Sequence, residues 1–157
     1  MKNSETSIQK NNFGSDALDK MVGRLKSTKD PKRRYEYILW LAKKLPLLSE
    51  DLFSEELKVK GCISKVYVQG ELSEGKIQWR GFSDALITKG LLSFLIEGLN
   101  GLSPEEIIQI DEGFIKETGL QGSLTPSRAN GFLNILLKMK SQAKTLSKRP
   151  PSLLNSL

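Results

Sequence analysis

The chain has no histidine and a single cysteine, Cys62. Without histidine there is no Ser-His-Asp triad and no Cys-His protease pair. One thiol excludes an internal disulfide, a CxxC redox pair and a cysteine-rich zinc or cluster cage. No apolar run approaches the ~20 residues that a membrane span needs. Residues 1–14 lack the apolar core of a signal peptide and the arginine-rich, acid-poor pattern of a transit peptide. The Gly-x-x-x-x-Gly-Lys-Ser/Thr phosphate loop does not occur. Glu55-Glu56 and Glu105-Glu106 are adjacent pairs, which point apart on a helix, so neither reads as the paired carboxylates of a hydrolase. A lone thiol suits a reducing compartment, and the expected location is cytoplasmic.

What remains is an ordinary soluble composition, 38% hydrophobic and 27% charged over 157 residues. That length holds one domain with a real core. The net charge of +6 is uneven: residues 1–60 carry 13 basic and 9 acidic side chains, 61–131 carry 6 and 9, and 132–157 carry 5 and none. Basic ends suggest nucleic acid. Solvated helix faces with a loose basic tail explain them more simply, because no nucleic-acid motif accompanies the charge. Neither a nucleic acid nor a membrane is an expected partner.

The pattern predicts a disordered extension over 1–15, one domain over 16–147 and a flexible basic, Pro-containing tail over 148–157. Leu18, Met21, Val22 and Leu25 have helical spacing. Asp30-Pro31 reads as an N-cap with proline at the first helical position. Tyr35, Ile38, Leu39, Ala42 and Leu45 share the face of the next helix, which Pro46 stops. Ser49-Glu50-Asp51-Leu52 reads as one more short helical turn.

The period then changes to two. Val66, Val68 and Leu72 alternate with Lys65, Tyr67, Gln69 and Glu71, and Ile77 and Trp79 alternate with Lys76, Gln78 and Arg80. With Ser73-Glu74-Gly75 as the turn, these are a hairpin. Leu57–Lys60 is a candidate third strand, since an isolated hairpin is marginal in water.

From Asp84 the pattern is helical and apolar on most sides, through Leu99, so this helix should be central and buried. Asn100-Gly101 ends it. Ser103-Pro104-Glu105-Glu106 is a capping-box start, and Thr125-Pro126 is another. Phe132, Ile135, Leu136, Met139, Ala143 and Leu146 share a face of the last helix, which fades at Arg149-Pro150-Pro151. The expected class is α+β: a small antiparallel sheet of about three strands with helices packed on it.

Cys62 falls in the loop feeding the first strand. A free cysteine is commonly a small buried hydrophobe. Against that, Gly61 permits unusual backbone angles, Lys60 and Lys65 are placed to favour a thiolate, and strand-end loops often present functional groups. Arg128 should sit in the first turn of its helix, where a cation opposes the helix dipole. It either swings into solvent or is kept there for another purpose. Asp84 at the start of the central helix is expected for capping.

Val59-Lys60-Gly61-Cys62-Ile63-Ser64-Lys65-Val66-Tyr67 resembles the cysteine motif of the SufE family, sulfur acceptors for cysteine desulfurases in iron–sulfur cluster assembly. Three further segments match in the same order: Tyr35-Glu36-Tyr37-Ile38 through Lys44-Leu45-Pro46, Ser83-Asp84-Ala85 through Lys89-Gly90-Leu91, and Leu124-Thr125-Pro126-Ser127-Arg128-Ala129-Asn130-Gly131. The resemblance spans about residues 31–145. Tyr67 stands where the family commonly has tryptophan and Ile63 where glutamine is frequent; both departures bear on partner preference more than on chemistry.

The resemblance implies a SufE/IscU-like fold and a sulfur carrier without independent turnover. Cys62 would take persulfide sulfur from a SufS-type, pyridoxal-phosphate-dependent desulfurase, stimulate that enzyme, and deliver to iron–sulfur scaffold proteins. The chain would hold no cofactor or metal of its own, only a transient Cys62 persulfide. Gly61, Asp84 and Arg128 would shape the Cys62 loop or bind the partner. The competing reading is a non-catalytic binding module with a structural cysteine, whose basic ends contact RNA or an acidic protein. A stand-alone thiol enzyme lacks an obvious base.

Overall fold

A computed structural model describes residues 12–148. Helix α1 (Asp16–Ser27) opens on Ser15, whose hydroxyl accepts from the Leu18 amide at 3.2 Å. The same hydroxyl donates to the Gly98 carbonyl at 2.6 Å, tying this cap to a distant helix. Phe13 is buried edge-on against Phe114, with ring centroids 6.1 Å apart. The expected disordered extension therefore does not reach Ser15: Phe13 and Ser15 belong to the domain's packing. Residues 1–11 and the Pro150-Pro151 tail lie outside the described residues.

Helix α2 (Pro31–Leu41) starts where Asp30 Oδ1 accepts from the Lys32 amide at 3.0 Å. It tightens into a 3-10 turn over Ala42–Lys44, so the α-helix closes before Pro46. Of its expected apolar face, Ile38, Ala42 and Leu45 are buried, Leu39 is half-buried and Tyr35 is exposed; Leu41, outside that face, is buried too. Ser49 caps a single 3-10 turn over Glu50–Leu52.

Strands β1 (Val66–Ser73) and β2 (Lys76–Ser83) form an antiparallel hairpin with Ser73 opposite Lys76. Glu74 and Gly75 have φ of 52° and 81°, the two positive values of a type I′ turn, whose twist suits the strands. Among the described residues the sheet has two strands, not about three. The Leu57–Lys60 segment pairs with β1 only through the Lys58–Tyr67 bridge, with the Val59 amide on the Val66 carbonyl and the Val68 amide on the Leu57 carbonyl. Gln142 occupies the next rung: its Oε1 accepts from the Gly70 amide and its Nε2 donates to the Val68 carbonyl, both at 2.8 Å. A helix side chain thus protects the edge that a longer third strand would cover. Tyr67 is buried, not solvent-facing, because Phe53 stacks on it at 4.3 Å.

Helix α3 (Leu86–Gly98) is the hub, with Leu91, Leu92, Phe94 and Leu95 fully enclosed. It packs on α1, α2, β2 and the last helix. The α2 contact is close enough that a Cβ on Gly90 would lie 2.1 Å from the Ile38 carbonyl oxygen. Helix α4 (Pro104–Ile108) shows the full capping box, Ser103 with Glu106. A short α5 (Phe114–Glu117) and a 3-10 turn over Leu120–Gly122 follow. The long α6 (Pro126–Ser147) opens on Thr125, whose hydroxyl accepts from the Arg128 amide at 3.3 Å, and packs on β1, α3 and α4. No helix among the described residues is long and apolar enough to cross a membrane.

Candidate functional site

The Val59–Val66 loop is held from three sides. At its start, Gly61 has φ +81°, a conformation that L side chains rarely adopt. Its carbonyl accepts from Asn134 Nδ2 on α6 at 3.1 Å. A Cβ at Gly61 would meet that same nitrogen at 2.6 Å, so backbone angle and space both require glycine. At its end, the Lys65 amide donates to Asp84 Oδ1 at 2.9 Å, and the Asp84 amide donates to the Lys65 carbonyl at 3.2 Å. Between them, the Ser64 hydroxyl lies 3.2 Å from that of buried Thr88, in the first turn of α3.

Cys62 sits in the middle, half-buried against the second turn of α6. Its thiol donates a weak, long bond to the Gly131 carbonyl at 3.8 Å. Gly131 has no side chain to fill the niche, and a Cβ there would lie 3.4 Å from Sγ. Burial pushes the Cys62 thiol above its ordinary value. The exposed lysines at 60 and 65 do not reverse that shift, contrary to the sequence expectation that they favour the thiolate. At rest the sulfur is sheltered.

Asp84 does not cap α3. Ala85 is the N-cap residue, and the Asp84 carboxylate faces the loop instead. Arg128 is half-buried at the third helical position of α6, one turn before Gly131 and so on the same side of the helix. Among the described residues its guanidinium makes no ion pair and no hydrogen bond to the Cys62 loop. The structure therefore brings Gly61, Cys62 and Asp84 together and leaves the Arg128 side chain unengaged. Asn134 was not singled out in the sequence. Its signal was a polar, weakly helix-forming residue within an otherwise apolar stretch, Gly131-Phe132-Leu133-Asn134-Ile135-Leu136. Among the described residues no group of three or more His, Cys, Asp or Glu is arranged to hold a metal ion.

The site is thus one thiol, sheltered in a small α+β domain on a loop tethered to two helices. Residues 19–143 match the SufE family, described as an Fe-S metabolism associated domain, and the chain belongs to that family. An uncharacterized SufE-like protein of Synechocystis is 50% identical over 126 residues, covering 80% of this chain and 79% of that protein. A protein named cysteine desulfuration protein SufE, from Plasmodium vivax, is 44% identical over 116 residues, 71% of this chain and 46% of that one. The chain thus spans under half of the Plasmodium protein's length. A Thermus thermophilus protein solved in solution and described as hypothetical aligns with a TM-score of 0.75 at 26% identity, covering 86% of this chain and 98% of that one.

Proposed function

We propose that this chain is a sulfur acceptor and carrier: Cys62 receives persulfide sulfur from a SufS-type cysteine desulfurase and hands it on to iron–sulfur cluster assembly. The observation that carries this reading is the placement of Cys62, half-buried on a glycine-hinged loop at the surface of a SufE-family domain. A cysteine serving only as core packing has no use for such a tether. The name of the Plasmodium relative, a cysteine desulfuration protein, points the same way.

The transfer balances without any outside oxidant. The Cys62 thiol gives up its proton, and the thiolate attacks the outer sulfur of the donor's cysteine persulfide. The bond between the donor's two sulfurs breaks, its electron pair leaves with the donor's cysteine thiolate, and Cys62 carries the persulfide. This is thiol–disulfide exchange applied to a sulfane sulfur. Pyridoxal-phosphate chemistry belongs to the donor; this chain supplies only the acceptor and needs no cofactor or metal of its own.

The resting niche suits that task. A raised thiol value and a shielded sulfur suppress reaction with stray oxidants. Drawing the loop away from Gly131 on docking removes the burial that raises the value. Asp84 holds the loop's C-terminal end, Asn134 holds it at Gly61, and the unengaged Arg128 faces an acidic donor surface. The lone thiol suits a reducing compartment such as the cytoplasm.

The test is desulfurase turnover, read as alanine formed from cysteine. Adding the chain to a SufS-type desulfurase should raise the rate, Cys62→Ser should not, and Arg128→Ala should require more protein for the same gain. A desulfurase indifferent to the wild-type chain would contradict the proposal.

A further inference from the structure

We infer that Ile63 is a docking residue that seats in an apolar cleft of the persulfide donor and sets the chain's preference for that donor; this rests on the sulfur-acceptor reading above. Ile63 directly follows Cys62 and, at 74% exposed, is the most exposed large hydrophobic side chain among the described residues. Its neighbours Cys62 and Ser64 are both partly covered, so the exposure belongs to this side chain and not to a loose loop.

The occupant of this patch follows from the reaction. Sulfur transfer requires the two sulfurs to approach within about 3–3.5 Å. The Cα of the next residue lies about 3.8 Å along the chain. A protein that delivers sulfur to Cys62 therefore docks on the segment that carries Ile63. An exposed aliphatic side chain on that segment calls for an apolar receptor. The rim is cationic: Lys60 and Lys65 are exposed on either side, Arg128 is half-buried on α6, and none of the three is ion-paired among the described residues. The one carboxylate at the loop, Asp84, is engaged by the Lys65 amide. An apolar centre with a charged rim is the usual anatomy of a specific interface, so the matching donor surface is an apolar cleft bordered by acidic residues.

The experiment is single-turnover sulfur acceptance from a SufS-type desulfurase preloaded as its persulfide, followed against the concentration of the full chain. Ile63→Ala should raise the half-saturating concentration about tenfold, the scale expected for losing several buried methyl groups. The rate at saturation and the melting temperature should stay at wild-type values, Ile63→Leu should restore wild-type saturation, and Ile63→Glu should cost more than Ile63→Ala. Unchanged half-saturation in both Ile63→Ala and Ile63→Glu would overturn the inference while leaving the carrier reading intact. So would a loss confined to the saturating rate. A wild-type chain that accepts no sulfur would overturn the carrier reading, and this inference with it.

Discussion

Lys65 and Asp84 exchange two hydrogen bonds, amide to carboxylate at 2.9 Å and amide to carbonyl at 3.2 Å, which fastens the Cys62 loop to the start of α3. The carboxylate that would ordinarily cap the helix is spent on the loop. Asp84→Ala should therefore loosen the loop more than the fold. Exchange of the Lys65 amide should quicken, alkylation of Cys62 should speed up severalfold, and global stability should fall by about 1 kcal/mol or less, because the group is exposed. Asp84→Asn, which keeps an acceptor oxygen, should lie between that variant and wild type.

Cys62 should be a slow nucleophile in the free protein. Burial raises its value, so at a given pH the folded chain holds less thiolate than the unfolded chain. Its alkylation rate should keep rising past pH ~8.5, the ordinary thiol value, without levelling off there. Stability follows with a definite sign. Nothing is lost below the unfolded thiol's value; as pH rises through it towards the higher folded value, burying the thiolate costs the native state stability. Denaturation midpoints of wild type and Cys62→Ser across this range should diverge only on the alkaline side.

Gly61→Ala should distort the loop. Its φ of +81° disfavours any L side chain, and the new methyl would meet Asn134 Nδ2 at 2.6 Å. A cost of roughly 1–3 kcal/mol follows from the backbone strain and the displaced hydrogen bond. Asn134→Ala removes the hydrogen bond but not the backbone fit, so it should cost less. Thermal unfolding of the two variants, with Cys62 alkylation alongside, checks the order.

Gly90→Ala should damage the fold itself. A Cβ 2.1 Å from the Ile38 carbonyl oxygen cannot be accommodated without moving α2 away from α3. Overpacking of this kind costs about 1–3 kcal/mol and at times more, and a backbone neighbour places it at the upper end. Urea unfolding should show the midpoint lowered by more than any of the loop variants above.

Much of this architecture was legible because the deciding interactions are local. Asp30-Pro31, Ser103 with Glu106, and Thr125-Pro126 each start a helix through bonds spanning two or three residues, and each does so as read. The two-residue period gave the hairpin, and the nearly all-round apolar pattern of residues 86–98 gave its place at the centre. What escaped depends on partners far along the chain. Tyr67 is buried because Phe53 stacks on it, and the third strand stops short because Gln142 takes its rung. Phe13 belongs to the domain because Phe114 receives it. Helix α5 spans only Phe114–Glu117, too short to show a period.

The site divides in the same way. Cys62 and Gly61 were visible as a pair, and the quoted motifs carried the family. That Asp84 turns to the loop instead of its own helix, that Asn134 holds Gly61, and that burial raises the Cys62 thiol are matters of three-dimensional placement.

The central claim is tested most directly by intact-protein mass spectrometry of the chain after incubation with a SufS-type desulfurase and cysteine, with Cys62→Ser in parallel. The account predicts a gain of one sulfur atom on the wild-type chain, removed by reductant and absent from Cys62→Ser. No gain on the wild type while the desulfurase itself carries persulfide, or an equal gain on Cys62→Ser, would contradict it.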